Sequence, residues 1–357
     1  MIGPRRRRYG VVVAGLLAVV AIASFSATAS ARSNHKSQAA GTTLTVAAWG
    51  AAYGAAEKAA YYVPFEKATG IKIKAIPAEP TLGALELQVK NHNVTWDVAE
   101  LSGPDFSVAC KKKEILKLSF KLRAHASAPG AIARCAVASS LFTQGIVYDK
   151  KVITHAPTWK DFFNVAKYPG KRALEKFIPD GAIEDTLLGS GVSKSKLYPL
   201  NFNKAEATWK TLGGNLIWFD SEAQAVQLVA SGNAAMAQLP TAEARGLLRS
   251  NHNLGYSLVG IRAPSSYVAP NGKHRAAAMR FLKFIAHCTK CSRTMAKMTG
   301  YAGPNAAGDK SAPASVRKLL PSNPAVLKNT WSQDLTYWAK NDAALEKKFE
   351  VYLTTAG

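Results

Sequence analysis

The residues of this sequence that could do chemistry are polar and aromatic side chains that follow short apolar runs. Ligands of open α/β sheets bind at the carboxyl ends of strands, so residues at such positions are the candidates. The candidate ligand-binding residues are Trp49, Tyr53, Ser102, Asp105, Trp218, Asp220, Ser221, Gln224, Thr241 and Tyr267, with Gly103, Glu222 and Glu243 beside them. Several also have a structural interpretation, because Trp49 and Trp218 can fill space between a strand and a helix, and Ser221 and Asp105 can cap helices.

No enzyme motif accompanies these residues. The sequence lacks a Gly-x-Ser-x-Gly elbow, a His-Glu-x-x-His pair and a phosphate-binding loop, and its seven histidines are scattered. We therefore expect a protein that is not an enzyme and that needs no cofactor and no metal.

The four cysteines form two pairs that are local in sequence, Cys110 with Cys135 and Cys288 with Cys291. Export to an oxidising compartment favours disulfides over metal binding. Cys288 and Cys291 also have the C-x-x-C spacing of redox and metal sites, although no second C-x-x-C is present and no His follows Cys291. A local structural disulfide is the first interpretation of that pair, and redox and metal roles are the alternatives.

The N-terminus has the three parts of a secretory signal peptide. Four arginines at residues 5–8 precede an almost wholly apolar run over residues 11–22, and residues 29–31 offer an A-x-A cleavage site. We predict a signal peptide over residues 1–31 and a flexible leader over residues 32–41, with an uncleaved membrane anchor as the alternative. The mature protein is expected in the periplasm or outside the cell.

The formal net charge of +23 falls to +19 when the four arginines of the signal peptide are removed. Such a basic balance is typical of nucleic-acid-binding proteins. However, the sequence has no helix-turn-helix, zinc-finger spacing or cluster of basic and aromatic residues, so we expect no nucleic-acid partner. A solvated cationic surface that faces anionic envelope material explains the charge better.

Strand and helix patterns alternate along the chain, which predicts an α/β fold with mostly parallel sheets. The expected strands cover residues 44–48, 71–75, 96–101, 216–219, 234–238 and 256–260. Helices are expected between them, with a long amphipathic helix over residues 273–286 and further helices near residues 312–320 and 329–353. Thr158 and Asp161 form a capping box that starts a short aromatic helix, and Glu184 and Asp185 are expected on a solvated face.

Six segments, taken in order, resemble bacterial extracellular solute-binding proteins of ABC importers, most closely the spermidine/putrescine-type branch. They are FEKATGIKI, WDVAEL, GIVYDKK with the aromatic helix after it, NLIWFDSEAQAVQLVASGNAAMA, VAPNGKHRAAAMRFLKFIA and GYAGPNAA. The resemblance implies a two-lobed clamshell of the type II periplasmic-binding-protein kind. It places residues 42–143 and 266–310 in lobe 1, residues 144–265 in lobe 2 and C-terminal helices over residues 311–357, with hinge crossings near residues 142–145 and 261–265.

The same resemblance implies a function and its partners. A small nitrogen-containing solute, polyamine-like or related, would bind between the lobes of a monomer and pass to an ABC permease in the inner membrane. Aromatic walls and carboxylates suit a cationic solute. The sequence departs from the polyamine pattern at Ala51 and over residues 264–266, where carboxylates are expected, and Arg245 and Arg262 lie near the cleft region. A monocation, a zwitterion or an anion therefore stays open as the solute, and a secreted adhesion protein is the alternative function.

Overall fold

The protein alternates strands and helices along most of its length. The computed structural model describes residues 41–78, 80–121, 126–127 and 131–355, and the signal peptide and almost all of the leader predicted above lie outside these ranges. The strands are β1 (Thr43–Ala48), β2 (Lys72–Pro77), β3 (Val98–Ser102), β4 (Ala136–Asp149), β5 (Arg172–Glu175), β6 (Leu216–Phe219), β7 (Met236–Pro240), β8 (Leu254–Ser257), β9 (Ile261–Val268) and β10 (Trp331–Ser332).

The helices connect these strands and cover them. They are α1 (Ala51–Glu57), α2 (Val63–Thr69), α3 (Leu82–Lys90), α4 (Gly103–Lys112), α5 (Trp159–Phe162), α6 (Ala182–Gly189), α7 (Phe202–Leu212), α8 (Glu222–Ala230), α9 (Thr241–Ser250), α10 (Arg275–His287), α11 (Thr289–Thr299), α12 (Ala306–Lys310), α13 (Ala314–Arg317), α14 (Pro324–Asn329) and α15 (Leu335–Thr355). A π-helical turn (Lys58–Tyr62) joins α1 to α2, and a 3₁₀ turn (Ile178–Asp180) precedes α6.

The strands pair in the order β2-β1-β3-β9-β4-β7-β5-β6, with β10 beside β9 and β8 beside β4. On one side β1, β2 and β3 are parallel, and on the other β5, β6 and β7 are parallel. The returning strand β9 runs antiparallel to both β3 and β4. Because parallel neighbours point the same way, the carboxyl ends of β5, β6 and β7 meet at one edge.

The long strand β4 belongs to both parts of this sheet. Its residues 136–143 pair with β9, and its residues 144–149 pair with β7 and β8. A first core, built mainly from residues 44–137 and 267–295, covers one part of the sheet, and a second core, built mainly from residues 146–263 and 331–352, covers the other. The change of partners falls where the first hinge crossing is predicted, and the lobe boundaries themselves stay a prediction.

Short-range chemistry explains where several elements begin and end. The Thr158 side chain accepts a hydrogen bond from the backbone N–H of Asp161, whose carboxylate accepts one from the N–H of Thr158, so the predicted capping box is confirmed. Gly70 ends α2 with φ of 75°, a left-handed conformation that costs glycine no steric strain.

The C-terminal helix α15 packs on the second core through Trp338, Phe349 and Tyr352. The indole N–H of Trp338 donates to Glu184 Oε1 over 2.7 Å. Likewise, the indole N–H of Trp331 donates to Asp185 Oδ1 over 2.8 Å. Glu184 and Asp185 are both fully buried, so the expectation of a solvated face is wrong. Their burial is possible because distant indoles supply hydrogen bonds in place of water.

Both predicted disulfides are present: Cys110–Cys135 joins α4 to the residue before β4, and Cys288–Cys291 lies at the start of α11. Within the described ranges, none of the helices combines the length and the apolar character needed to cross a bilayer.

Candidate functional site

Four carboxylates lie together near the carboxyl ends of β5, β6 and β7. Glu175 is the last residue of β5, and Asp180 follows it in the 3₁₀ turn. Glu222 is the first residue of α8 after β6, and Glu243 lies in the first turn of α9 after β7. We call these four residues the acidic rim.

The charges of the acidic rim act on one another. Burial, with the charges of Asp180 and Glu222, raises the pKa of Glu175 well above its ordinary value. Burial and Glu222 raise the pKa of Asp180 to about 7. Burial, and to a lesser degree Glu222, raises the pKa of Glu243. The ion pairs found among the described residues include none of these carboxylates. The rim is therefore a cluster of repelling acids with no basic side chain paired to it.

Two buried glutamines hold part of the rim in place. The Gln144 amide donates to Glu175 Oε2 over 3.2 Å and to Asp180 Oδ2 over 3.4 Å. The Gln238 side chain accepts from the backbone N–H of Glu175 over 3.2 Å and donates to the backbone carbonyl of Asp180, also over 3.2 Å. Gln238 donates in addition to Asp185 Oδ2 over 3.0 Å. Because amides donate without carrying a positive charge, they orient the carboxylates and leave their charge uncompensated.

A second polar cluster surrounds Glu100, a fully buried residue of β3. Its carboxylate accepts hydrogen bonds from Tyr53 Oη at 2.9 Å and from Ser265 Oγ at 2.8 Å. It also accepts from the Ser139 hydroxyl and from the backbone N–H of Trp49, the latter over 3.4 Å. Burial raises the pKa of Glu100 above its ordinary value, and these hydrogen bonds oppose the shift. The cluster joins β3 and the segment after β1 to β4 and β9.

Aromatic rings connect the two clusters. The centroids of the Tyr53 and Tyr301 rings are 6.1 Å apart, and Phe142 of β4 lies 6.2 Å from Tyr301. The Tyr301 hydroxyl donates to Glu243 Oε2 over 3.1 Å. Contacts thus run from Glu100 through Tyr53 and Tyr301 to the acidic rim, and these side chains form a site that includes residues of both cores.

Two arginines have a buried nitrogen that could bind a ligand, and one of them, Arg245, lies beside this site. Arg245 of α9 and Arg262 of β9 each have a buried guanidinium nitrogen, Nη1 and Nε respectively, without a hydrogen-bond partner among the described residues. Burial lowers the pKa of both groups. Arg245 lies against Gly300, next to Tyr301, and is two residues from Glu243. A buried N–H without a partner is costly, so these groups suit an anionic ligand atom.

The structure brings two of the predicted site residues into this arrangement, Tyr53 through its side chain and Trp49 through its backbone. Thr241 lies close by, where its hydroxyl donates to the Thr143 carbonyl over 2.9 Å and contacts the Tyr256 hydroxyl at 3.2 Å. Tyr267 lies deeper and donates to Glu57 within the first core.

Other predicted site residues make local contacts. Ser221 caps α8, so its alternative interpretation as a cap is confirmed, whereas α4 is capped by Ser102 and not by Asp105. Asp105 accepts from the backbone N–H of Leu82 over 3.2 Å, and Gln224 accepts from that of Asp220 over 3.0 Å. Asp220 pairs with Lys176 at 2.7 Å on the surface. These contacts satisfy groups that the prediction assigned to a ligand, and their part in binding stays a prediction.

Trp218 packs against aromatic residues of the second core. Its ring centroid is 5.1 Å from that of Trp209, 4.8 Å from that of Phe349 and 6.1 Å from that of Tyr352. The site role of Trp218 also stays a prediction, and these contacts favour its packing interpretation. A cavity of about 420 Å³ lies on the same side of the second core, between α7 and α15. Its lining residues are Phe202, Asn203, Glu206, Ala344, Lys347, Lys348, Val351 and Tyr352.

Sequence reasoning missed Glu100, Glu175, Asp180 and Tyr301. A signal was available for Glu100, because an acid inside an otherwise apolar strand must find partners when it is buried. Among the described residues, no group of three or more His, Cys, Asp or Glu could hold a metal ion. The negative charge of the acidic rim suits a small organic solute with a cationic group.

The chain is similar to several known proteins. Residues 60–334 match the family model described as bacterial extracellular solute-binding protein. The gamma-aminobutyric acid-binding protein of Pseudomonas aeruginosa is 28% identical over 333 residues, which cover 88% of this chain and 92% of the relative. A solved structure of the Atu4243 GABA receptor is 29% identical, with a TM-score of 0.80 and coverage of 87% of this chain and 97% of that one.

A spermidine/putrescine-binding protein, PotD of Streptococcus pneumoniae, is a more distant structural neighbour. It is 18% identical, with a TM-score of 0.68 and coverage of 87% of this chain and 99% of that one, so the likeness shows the fold alone. The structural neighbours are two-lobed periplasmic binding proteins, and the predicted α/β fold class is confirmed.

Proposed function

Since the chain belongs to the bacterial extracellular solute-binding protein family, we propose that it binds a small ω-amino acid and delivers it to an ABC permease. Members of this family bind solutes for transport and are not enzymes. The family also implies that the protein is exported. The proposal refines the polyamine-like solute expected from the sequence to a zwitterion with an amine at one end and a carboxylate at the other.

The acidic rim is the observation that carries the proposal. Glu175, Asp180 and Glu243 are buried or partly buried, and Glu222 repels each of them. A ligand ammonium would replace this repulsion with attraction, and the gain is large where water is excluded. Tyr301 and Tyr53 would add aromatic faces beside the cation.

The other end of the solute distinguishes an ω-amino acid from a polyamine. A diamine or triamine would place a second cation near Arg245, where like charges repel. A carboxylate at Arg245 would instead use the guanidinium nitrogen that has no partner among the described residues. Two similar proteins are named for gamma-aminobutyric acid, which has this pairing of groups.

Isothermal titration of the purified chain with gamma-aminobutyrate, putrescine, spermidine and succinate tests the proposal. We expect one saturable site for gamma-aminobutyrate, unchanged solute on recovery and weaker or no binding of the others. Tight binding of spermidine or succinate alone would show that the ligand class is wrong. If none of the four solutes binds to a chain that melts cooperatively, the proposal that the protein binds a small ω-amino acid is contradicted.

Charge-neutralising variants locate the site. Asp180→Asn and Glu243→Gln each remove one negative charge from the rim at nearly constant volume, and each should weaken binding about tenfold, equivalent to about 1.4 kcal/mol. Glu350→Gln is the matched control, because Glu350 is an exposed acid of α15 that lies outside the acidic rim. Equal losses in the control and the rim variants would show that the effect is only one of net charge.

A further inference from the structure

The Cys288–Cys291 pair has surroundings that favour a thiolate. Cys288 is the N-cap of α11, and its sulfur accepts a hydrogen bond from the backbone N–H of Cys291 over 3.1 Å. The positive end of the helix dipole stabilises negative charge at that position, and a C-x-x-C thiol at a helix N-terminus is correspondingly acidic. If the disulfide opened, the Cys288 sulfur would therefore already have a hydrogen-bond donor beside it.

The positive charge of the chain segment around the pair also favours a thiolate. Residues 244–308 contain ten Lys or Arg and no Asp or Glu. His287 precedes the pair and Lys290 lies between its two cysteines; both are exposed, as is Arg293 in the next turn of α11. Nearby cations lower the pKa of thiols and raise the thiolate fraction.

The two sulfurs differ in access. Cys288 is partly exposed, whereas Cys291 is 1% exposed and packs in the first core beside residues such as Met295. An incoming thiol can thus reach one sulfur, while the other is held by the core as an internal partner. This division into an accessible and a resolving cysteine is what exchange chemistry needs.

The second disulfide offers an internal comparison. Cys110 lies in the last turn of α4, where the helix dipole disfavours a thiolate. The Cys110–Cys135 disulfide spans 25 residues, and Cys288–Cys291 spans 3. A longer closed loop stabilises the folded chain more, and by linkage the fold protects that disulfide more against reduction.

From these observations we propose that Cys288–Cys291 is a thiol–disulfide exchange site for low-molecular-weight thiols, with Cys288 as the sulfur that is attacked. An external thiolate bonds to Cys288 Sγ, the bond between the two cysteines breaks, and its electron pair leaves on Cys291 Sγ, which takes a proton from solvent. A second thiolate attacks the external sulfur of the mixed disulfide and releases the Cys288 thiolate. Two thiols are oxidised to their disulfide, and the protein disulfide is reduced to a dithiol.

A redox titration of the purified full chain tests the proposal without any substitution. The oxidised protein is equilibrated without oxygen in graded mixtures of reduced and oxidised glutathione, quenched in acid, alkylated and mapped by peptide mass spectrometry. We expect Cys288 and Cys291 to be half reduced at a reduced-glutathione concentration at least about tenfold below that for Cys110 and Cys135, with a glutathionyl adduct on Cys288. Joint reduction of the two pairs, or earlier reduction of Cys110–Cys135, would overturn the proposal.

Single-cysteine variants provide a second measurement. Cys291→Ser leaves a free Cys288, and Cys135→Ser leaves a free Cys110 as the matched control. In folded protein at pH 7, iodoacetamide should alkylate Cys288 about fivefold or more faster than Cys110. Equal or slower alkylation of Cys288 would contradict the proposal, and if either variant fails to fold, the titration of the wild-type chain decides.

Discussion

The Tyr301 hydroxyl donates a hydrogen bond to Glu243 Oε2 over 3.1 Å, and the Tyr301 ring lies 6.1 Å from that of Tyr53. This one side chain therefore contacts an acid near the end of β7 and an aromatic residue whose own hydroxyl is bound to Glu100. If the two parts of the protein close on a solute, Tyr301 is placed to keep contact with side chains of both parts.

Tyr301→Phe should weaken solute binding about three- to tenfold while it changes the melting temperature little. The variant keeps the ring but removes the donor to Glu243, which is then less well oriented towards a ligand ammonium. Tyr337→Phe is the control, since Tyr337 packs against Tyr198, 5.1 Å between centroids. Calorimetry on both variants is the measurement, and unchanged affinity in Tyr301→Phe would remove this residue from the site.

The acidic rim predicts that pH acts in opposite directions on stability and on binding. The pKa of Asp180 is raised to about 7, and that of Glu175 is raised well above its ordinary value. Raised carboxyl pKa values mean that ionisation destabilises the folded state, so the unliganded protein should melt at a lower temperature at pH 8 than at pH 6.

Binding of a cationic group favours the ionised carboxylates and lowers their pKa. Affinity for an amine-bearing solute should therefore rise from pH 6 to pH 8, with protons released on binding near pH 7. Titration calorimetry in buffers of different ionisation enthalpy counts these protons. Proton uptake, or an affinity that falls over this range, would show that the rim does not receive the cation.

Trp218→Ala and Trp49→Ala should have different effects. Trp218 packs against Trp209 and Phe349 and is partly exposed, so its removal should cost about 2–4 kcal/mol of unfolding free energy and leave affinity nearly unchanged. Trp49 follows β1 beside the Glu100 cluster and is partly exposed, so Trp49→Ala, which keeps the backbone N–H bonded to Glu100 but removes an aromatic face, should mainly reduce affinity. Denaturant unfolding and calorimetry separate the two outcomes, and the reverse pattern would place the ligand beside Trp218.

Elements set by neighbouring residues could be predicted from the sequence. The capping box of Thr158 and Asp161 and the strand β6 (Leu216–Phe219) depend on interactions within a few residues, and both are found where they were expected. The strand expected at residues 256–260 is found earlier, at Leu254–Ser257, where pairing with β4 sets the register.

The candidate site was harder to predict because it depends on contacts between distant parts of the chain. Tyr301 reaches Glu243 because the neighbouring residue Ala302 pairs with Leu141 of β4. No local sequence pattern encodes that contact. Glu184 and Asp185 were expected in solvent because their partners, Trp338 and Trp331, lie 154 and 146 residues away. Polarity alone predicts exposure, and only the tertiary structure supplies the donors that permit burial.

The contact between Trp338 and Glu184 gives a last prediction about stability. Burial raises the pKa of Glu184 to about 7, and the N–H of Trp338 and the hydroxyl of Tyr198 oppose the shift by binding its Oε1. Trp338→Phe removes one of these donors, so the ionised form should lose about 1.5–3 kcal/mol and the neutral form about 1 kcal/mol. The unfolding free energy should therefore fall more at pH 8 than at pH 5.

Trp159→Phe is the matched control, because the Trp159 indole N–H donates to the neutral Val259 carbonyl over 3.0 Å. The free energy lost with that hydrogen bond should not depend on pH. Urea unfolding of both variants at the two pH values makes the comparison, and equal losses for Trp338→Phe at both would show that Glu184 stays neutral throughout.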